Sequence, residues 1–251
     1  MPEDPPRVVV ARAADEHGEV ALARRGEVVE LVVDGVFAMD TVHTATEAAL
    51  ATLALARVPG DGLRVVVGGL GLGFTVRALL DESRVAHLDV VELHAPLVAW
   101  ARAGLVPPLA GLLDDRRVAV RVADVLDVVP ALPPASVDAL LLDVDNGPGF
   151  LVHPRNAAVY GAPFLATAAR ALTVRGVVAI WSADASSELA AALTRTWRTL
   201  ETVALPVERD GRAFTYTVYL AGGTRSPGRP ARSPSHRLTS WSPTPHLRGR
   251  R

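Results

Sequence analysis

Residues 65–92 constrain the fold of this chain more tightly than any other stretch. An apolar run, Val65-Val66-Val67, leads into Gly68-Gly69-Leu70-Gly71-Leu72-Gly73, and a helix-like segment follows from Phe74 to Leu80. A second apolar run, Leu88-Asp89-Val90-Val91, ends on Glu92. The order is strand, glycine turn, helix, strand, acid. Glycines at 69, 71 and 73 let the backbone turn tightly and come close to a ligand without Cβ clashes. The helix behind them points its first N–H groups at whatever lies over the turn. Glu92 falls about 20 residues further on, where the tip of the second strand reaches a ribose diol. The pattern reads as a nucleoside-binding half-site of a Rossmann-like α/β fold.

The rest of the body agrees. Buried-type strands are expected near 64–68, 87–92, 118–123, 137–143, 176–182, 200–206 and 213–220, with helices near 73–82, 95–104, 156–172 and 184–196. Apolar runs without alternation mark strands covered on both faces of a mostly parallel sheet. Arg209-Asp210-Gly211-Arg212 joins the last two strands by a short turn. An antiparallel final pair is the ending of a seven-stranded methyltransferase-type sheet, whereas a dinucleotide fold would add another parallel crossover. Ahead of this body, residues 7–12, 18–24 and 27–33 are short, β-branched and roughly alternating, which predicts a small antiparallel module. Residues 43–57 are rich in Ala and Leu and read as a helix. The expected division is an N-terminal β module over 1–42, a Rossmann-like domain over 43–221, and a disordered Arg-, Pro- and Ser-rich tail over 222–251.

Composition narrows the function classes. Apolar residues make up 49% of 251, enough for a large core. No run approaches the roughly 18 apolar residues of a membrane span. The acidic, Pro-rich start, Met1 to Pro6, is unlike a secretory signal, so a cytoplasmic setting is expected. There is no cysteine, which excludes disulfides and thiolate chemistry. The formal charge of −1 hides an asymmetry. Every basic residue is Arg, and the tail holds seven of them and no acid, so the body is strongly acidic. Such a field favours a cationic small substrate over nucleic acid, with polyanion contact left to the tail. The seven histidines show no metal-ligand spacing, so no metal is expected. No Gly-x-Ser-x-Gly elbow and no Gly-Lys-Ser/Thr loop occurs.

The remaining candidates sit at strand ends. The Gly69-x-Gly71-x-Gly73 spacing departs from the dinucleotide pattern, which favours an adenosyl ligand over NAD. Asp124, after Val122-Ala123, can accept from an exocyclic adenine amine or cap the next helix. Asp143 ends the fourth strand, and Asp145 follows in the Asp-Asn-Gly-Pro loop. Two near acids beyond the strand ends repel, which raises one pKa and suits it to an ammonium; a purely turn-forming role is the other reading. Tyr160 either faces the same mouth or packs in the core.

With these residues in place, the chain resembles the spermidine synthase (polyamine aminopropyltransferase) family over about residues 18–220. The likeness includes Leu31-Val32-Val33-Asp34-Gly35, the glycine turn, Val91-Glu92, Ala123-Asp124 and the Asp143 loop. It implies decarboxylated S-adenosylmethionine as co-substrate, a small-molecule amine as acceptor and a homodimer. It also implies Asp143 as the base that deprotonates the amine, Glu92 as the ribose acid and Asp124 as the adenine acid. Asp145, either as a replacement for the family loop's second acid or as a loop residue, and Tyr160, by its place near the same mouth, are the candidates for the amine. The chain departs from the family at three places. Gly71 stands where the family's Gly-Gly-Gly-Asp-Gly-Gly loop has its Asp. The Asp-Ser-Ser-Asp-Pro loop becomes Asp143-Val144-Asp145-Asn146-Gly147-Pro148. Of the Tyr-His-Glu segment only Glu47 is retained. A methyltransferase using ordinary S-adenosylmethionine, or a non-catalytic binding protein that keeps the nucleoside pocket, are the alternative expectations.

Overall fold

The computed structural model describes residues 5–209, 211–224 and 235–240. It begins with four antiparallel strands in simple order: β1 (Arg7–Asp15), β2 (Gly18–Arg25), β3 (Val28–Val33) and β4 (Val36–Asp40). The sequence reading anticipated three of them. The fourth follows a two-residue turn, Asp34-Gly35, in which both residues have positive φ (48° and 76°). That geometry matches the right-handed twist of the flanking strands, and Asp-Gly is its favoured sequence.

Helix α1 (Ala45–Leu55) leads into the main sheet. In chain order the sheet elements are β5 (Leu63–Gly68), β6 (Val85–Glu92), β7 (Val118–Val122), β8 (Val137–Leu142), β9 (Leu172–Ser182), β10 (Trp197–Arg209), β11 (Arg212–Thr224) and β12 (Ser235–Ser240). Their spatial order is β12-β10-β11-β9-β8-β5-β6-β7. Strands β5 to β9 pair in parallel, and β11 runs antiparallel to both β9 and β10. Without β12 this is the expected seven-stranded methyltransferase-type order with its reversed last strand.

Between the strands lie α2 (Phe74–Asp81), α3 (Ala95–Arg102), α4 (Val125–Ala131), α5 (Ala162–Ala171) and α6 (Ser187–Thr196). Successive side chains of each strand serve opposite faces. Val65 and Val67 join a core with Leu50 of α1, Leu79 of α2 and Leu97 of α3, and Leu22 and Leu31 of the small sheet belong to the same core. Val66 joins the other core with Val129, Leu165 and Leu193 of α4, α5 and α6. Each such valine is fully buried and contributes on the order of 1.5–3 kcal/mol. The unbroken apolar runs therefore reflect helices on both faces.

Three expectations need correction. Helix α4 is missing from the expected helices, although one reading of Asp124 was a cap of a helix there; valines and Pro130, which falls in its last turn, obscure its span. The helix expected over 156–172 is two pieces, a 3-10 segment (Pro154–Tyr160) and α5, separated at Gly161 with Pro163 just inside the second. The tail expected to be disordered from 222 begins inside β11, and its residues 235–240 form β12, parallel to β10. The backbone of β12 pairs with β10 along a sheet edge, which composition alone does not reveal. The rest of that expectation, 225–234 and 241–251, lies outside the described residues. Among the described residues no single helix is long and apolar enough to cross a membrane.

Candidate active site

The strand order reverses between β5 and β8, and open sheets bind ligands in the crevice beyond such a reversal. The loops there are stitched together: Asp143 N donates to Gly68 O (2.9 Å) and Gly69 N to Val91 O (2.8 Å). A crevice of about 1030 Å³, counting its open mouth, lies over them. Gly69, Gly71, Glu92, Asp124, Asp143 and Asp145 all line it.

The glycines have separate tasks. Gly69 has φ of 93°, and a Cβ there would sit 2.0 Å from the carbonyl oxygen of Asp143. Only glycine lets β5 and β8 end this close together. Gly71 faces Met39 of β4, whose sulfur accepts from Leu72 N at 3.2 Å. Gly73, expected beside the ligand, does not line the crevice. It starts α2 with φ of 87° and lies under Leu109, which a Cβ would strike at 2.0 Å.

Glu92 is buried at the end of β6 and fixed by backbone donors. Leu70 N donates to Oε2 and His94 N to Oε1, both at 2.8 Å. Burial raises its pKa, and these two N–H groups oppose the rise. A carboxylate oxygen has two lone-pair sites, so acceptor capacity remains on each for a sugar hydroxyl. The neighbouring His94 ring stands 3.3 Å from the Asp15 carboxylate, which ties β1 of the small sheet to this half of the crevice. Asp124 does two things at once. It caps α4 by accepting from Leu126 N (2.8 Å), and its other oxygen lies 3.6 Å from Arg155.

Asp143 is held differently. Among the described residues its one side-chain partner is the Thr75 hydroxyl, which donates to Oδ2 at 2.9 Å, and burial pushes its pKa up to about 6. Close by is Glu47, in the first turn of α1, where the Thr46 hydroxyl donates to Oε2 at 2.8 Å. Burial, then the charge of Asp143, raise Glu47 to about 7. Thr75 links the two acids, since its hydroxyl also lies 3.4 Å from the Glu47 carbonyl oxygen. Two uncompensated carboxylates facing one cavity form a site that a cation would stabilise.

Asp145 and Tyr160 were both expected to touch the acceptor. Asp145 lines the crevice, but its oxygens organise the loop. Oδ1 accepts from Asn146 N and Val152 N, and Oδ2 from His153 N and the Asn156 side chain, at 2.7–3.2 Å. Tyr160 is absent from the lining. It belongs to the core around Phe164 and Leu165, and burial pushes its phenol up.

Sequence reasoning assigned no site role to Asp15, Met39 or His94, and placed Glu47 only by resemblance. His94 had a local signal, because it follows the acid of β6 by two residues.

Strand order, the reversal between β5 and β8, and acids at successive strand tips define an α/β fold of the methyltransferase type, extended by a small antiparallel sheet. Among solved structures it is the fold of the spermidine synthases. It superposes on spermidine synthase from Thermotoga maritima with a TM-score of 0.73, at 15% identity over 88% of this chain and 75% of that one. A spermidine synthase in complex with the transition state analogue AdoDATO gives the same TM-score at 17% identity, covering 86% of this chain and 74% of that one. In sequence the chain is similar to the polyamine aminopropyltransferase of Mycobacterium tuberculosis, 29% identical over 199 residues, which is 78% of this chain and 36% of that protein. The chain thus spans little more than a third of the length of that curated relative. No family model matches it.

Proposed function

We propose that this chain transfers an aminopropyl group from decarboxylated S-adenosylmethionine to an amine. One observation carries the reading. Among the described residues, five carboxylates line the crevice (Glu47, Glu92, Asp124, Asp143 and Asp145) and no arginine does. Such a lining attracts a sulfonium and an ammonium. The lining itself offers no guanidinium to the α-carboxylate of ordinary S-adenosylmethionine, and Arg155 beside it faces Asp124, which disfavours the methyltransferase reading.

Glu92 would take the ribose hydroxyls, and the backbone beside Asp124 the adenine. The Gly69–Gly71 turn leaves room for the sulfonium end. The acceptor nitrogen then attacks the aminopropyl carbon on sulfur. A C–N bond forms, the C–S bond breaks, and sulfur keeps the electron pair to leave as methylthioadenosine. Asp143 takes the ammonium proton that frees the lone pair. With its pKa raised to about 6 it is ionised at neutral pH yet basic enough to share that proton. Glu47 would hold the donor's own ammonium. The fold contributes alignment, which alone lowers such barriers by several kcal/mol. The exposed valines 8, 9 and 10 on edge strand β1 support a homodimer built through the small sheet.

The test is release of methylthioadenosine from decarboxylated S-adenosylmethionine in the presence of primary amines. The expected result is amine-dependent release that falls below about pH 6, as Asp143 takes up its proton. Release of S-adenosylhomocysteine from the carboxylated donor instead would replace this reading with methyl transfer.

A further inference from the structure

The acceptor side of the crevice carries too few charges for a diamine. Of the five lining acids, Glu92 is fixed by two backbone N–H groups. Asp124 serves the α4 cap and faces Arg155. Asp145 is saturated by four loop donors. That leaves Glu47 and Asp143, each with a single threonine hydroxyl as side-chain partner among the described residues. Aminopropyl transfer already gives each of these two a nitrogen: the donor's ammonium and the attacking amine. A diamine acceptor brings a third cationic nitrogen.

Among the described residues, the wall beyond them holds no carboxylate to receive it: the polar side chains that line it there are Asn146, His153 and Asn156, and the rest is apolar. Leu31, Val33, Ala38 and Met39 of the small sheet, Val152 of the loop and Trp181 of β9 make that apolar part. Gly71, at the turn that faces Met39, adds no carboxylate. The Trp181 ring packs against Tyr216 at 5.0 Å. An aromatic face attracts a cation, but far more weakly than desolvation penalises an unpaired ammonium. Carbon and sulfur surfaces instead favour an apolar chain.

We infer that the acceptor is a monoamine with an apolar body, not a diamine or polyamine. The inference rests on the aminopropyl-transfer reading above and specifies its acceptor. The experiment measures methylthioadenosine release by the full chain with decarboxylated S-adenosylmethionine and either n-hexylamine or putrescine. The expected result is a kcat/KM for hexylamine about tenfold or more above that for putrescine. An equal or higher value for putrescine overturns the monoamine inference and leaves aminopropyl transfer standing. No release with either amine, in protein that is folded, overturns both. Ala38→Asp sets a carboxylate in the apolar wall and is expected to raise putrescine turnover relative to hexylamine about tenfold. A folded A38D protein with an unchanged ratio also counts against the inference.

Discussion

Two strand-tip acids, Glu92 and Asp143, sit on either side of β5 and are built to opposite ends. Glu92 is held by two backbone N–H groups that the fold supplies whether or not a ligand is bound. Its oxygens are aimed, and the two N–H groups favour its ionised form against the upward pull of burial. Asp143 has one hydroxyl partner and a raised pKa, and it shares its cavity with Glu47. The first arrangement suits recognition of neutral hydroxyls. The second suits a proton that comes and goes. Backbone hydrogen bonds thus separate a binding carboxylate from a reactive one within a single crevice.

Substitutions can break this contrast. Asp143→Asn should lower kcat by about 100-fold or more while leaving methylthioadenosine affinity within about twofold, by steady-state kinetics and calorimetry. If turnover survives, Asp143 is not the base. Glu92→Gln should do the reverse. The new amide must present an N–H to one of two backbone N–H donors, so nucleoside affinity is expected to fall about 10- to 100-fold and stability by about 1–3 kcal/mol. Unchanged affinity would remove Glu92 from the sugar site.

Glu47→Gln sharpens the contrast through stability. In the folded chain Glu47 and Asp143 have pKa values of about 7 and 6, against ordinary values of 4.5 and 3.8. The folded state binds these protons more tightly, so their favourable contribution is complete below about pH 4. It is lost as pH rises through 6 and 7. Replacing Glu47 by the neutral amide should stabilise the chain at pH 8 by about 1–3 kcal/mol and flatten the decline between pH 5 and 8, read by denaturant melts. An unaltered pH profile would mean that Glu47 carries no buried charge. The smallest effect is expected from Thr75→Val. Its hydroxyl favours the ionised form of Asp143, so its loss should move the acid limb of the pH–rate profile upward by under about one pH unit. A downward shift would contradict that hydrogen bond.

What was readable in the sequence was short-range. Strand, glycine turn and strand-end acid repeat locally, and Gly69, Gly71, Glu92, Asp124 and Asp143 could be placed from neighbours alone. What was missed depends on contacts far apart in the chain. Glu47 meets Asp143 only because α1 packs beside α2, which delivers Thr75 between them. Gly73 looks like its sister glycines until Leu109 is found against it. Asp145 carries the same chemistry as Asp143, yet four loop donors consume it, and turn sequences do not announce how a loop folds back on its own acid. β12 pairs with a strand more than thirty residues earlier, across a segment rich in residues that break local structure.

A lining of carboxylates without arginine should select its donor by charge. Calorimetric titration of the full chain at pH 8 with decarboxylated and ordinary S-adenosylmethionine, side by side, reads this out without any acceptor. The decarboxylated form is expected to bind about tenfold or more tightly than the other. Equal affinity, or preference for the donor that keeps its carboxylate, would contradict the assignment of this crevice to aminopropyl transfer.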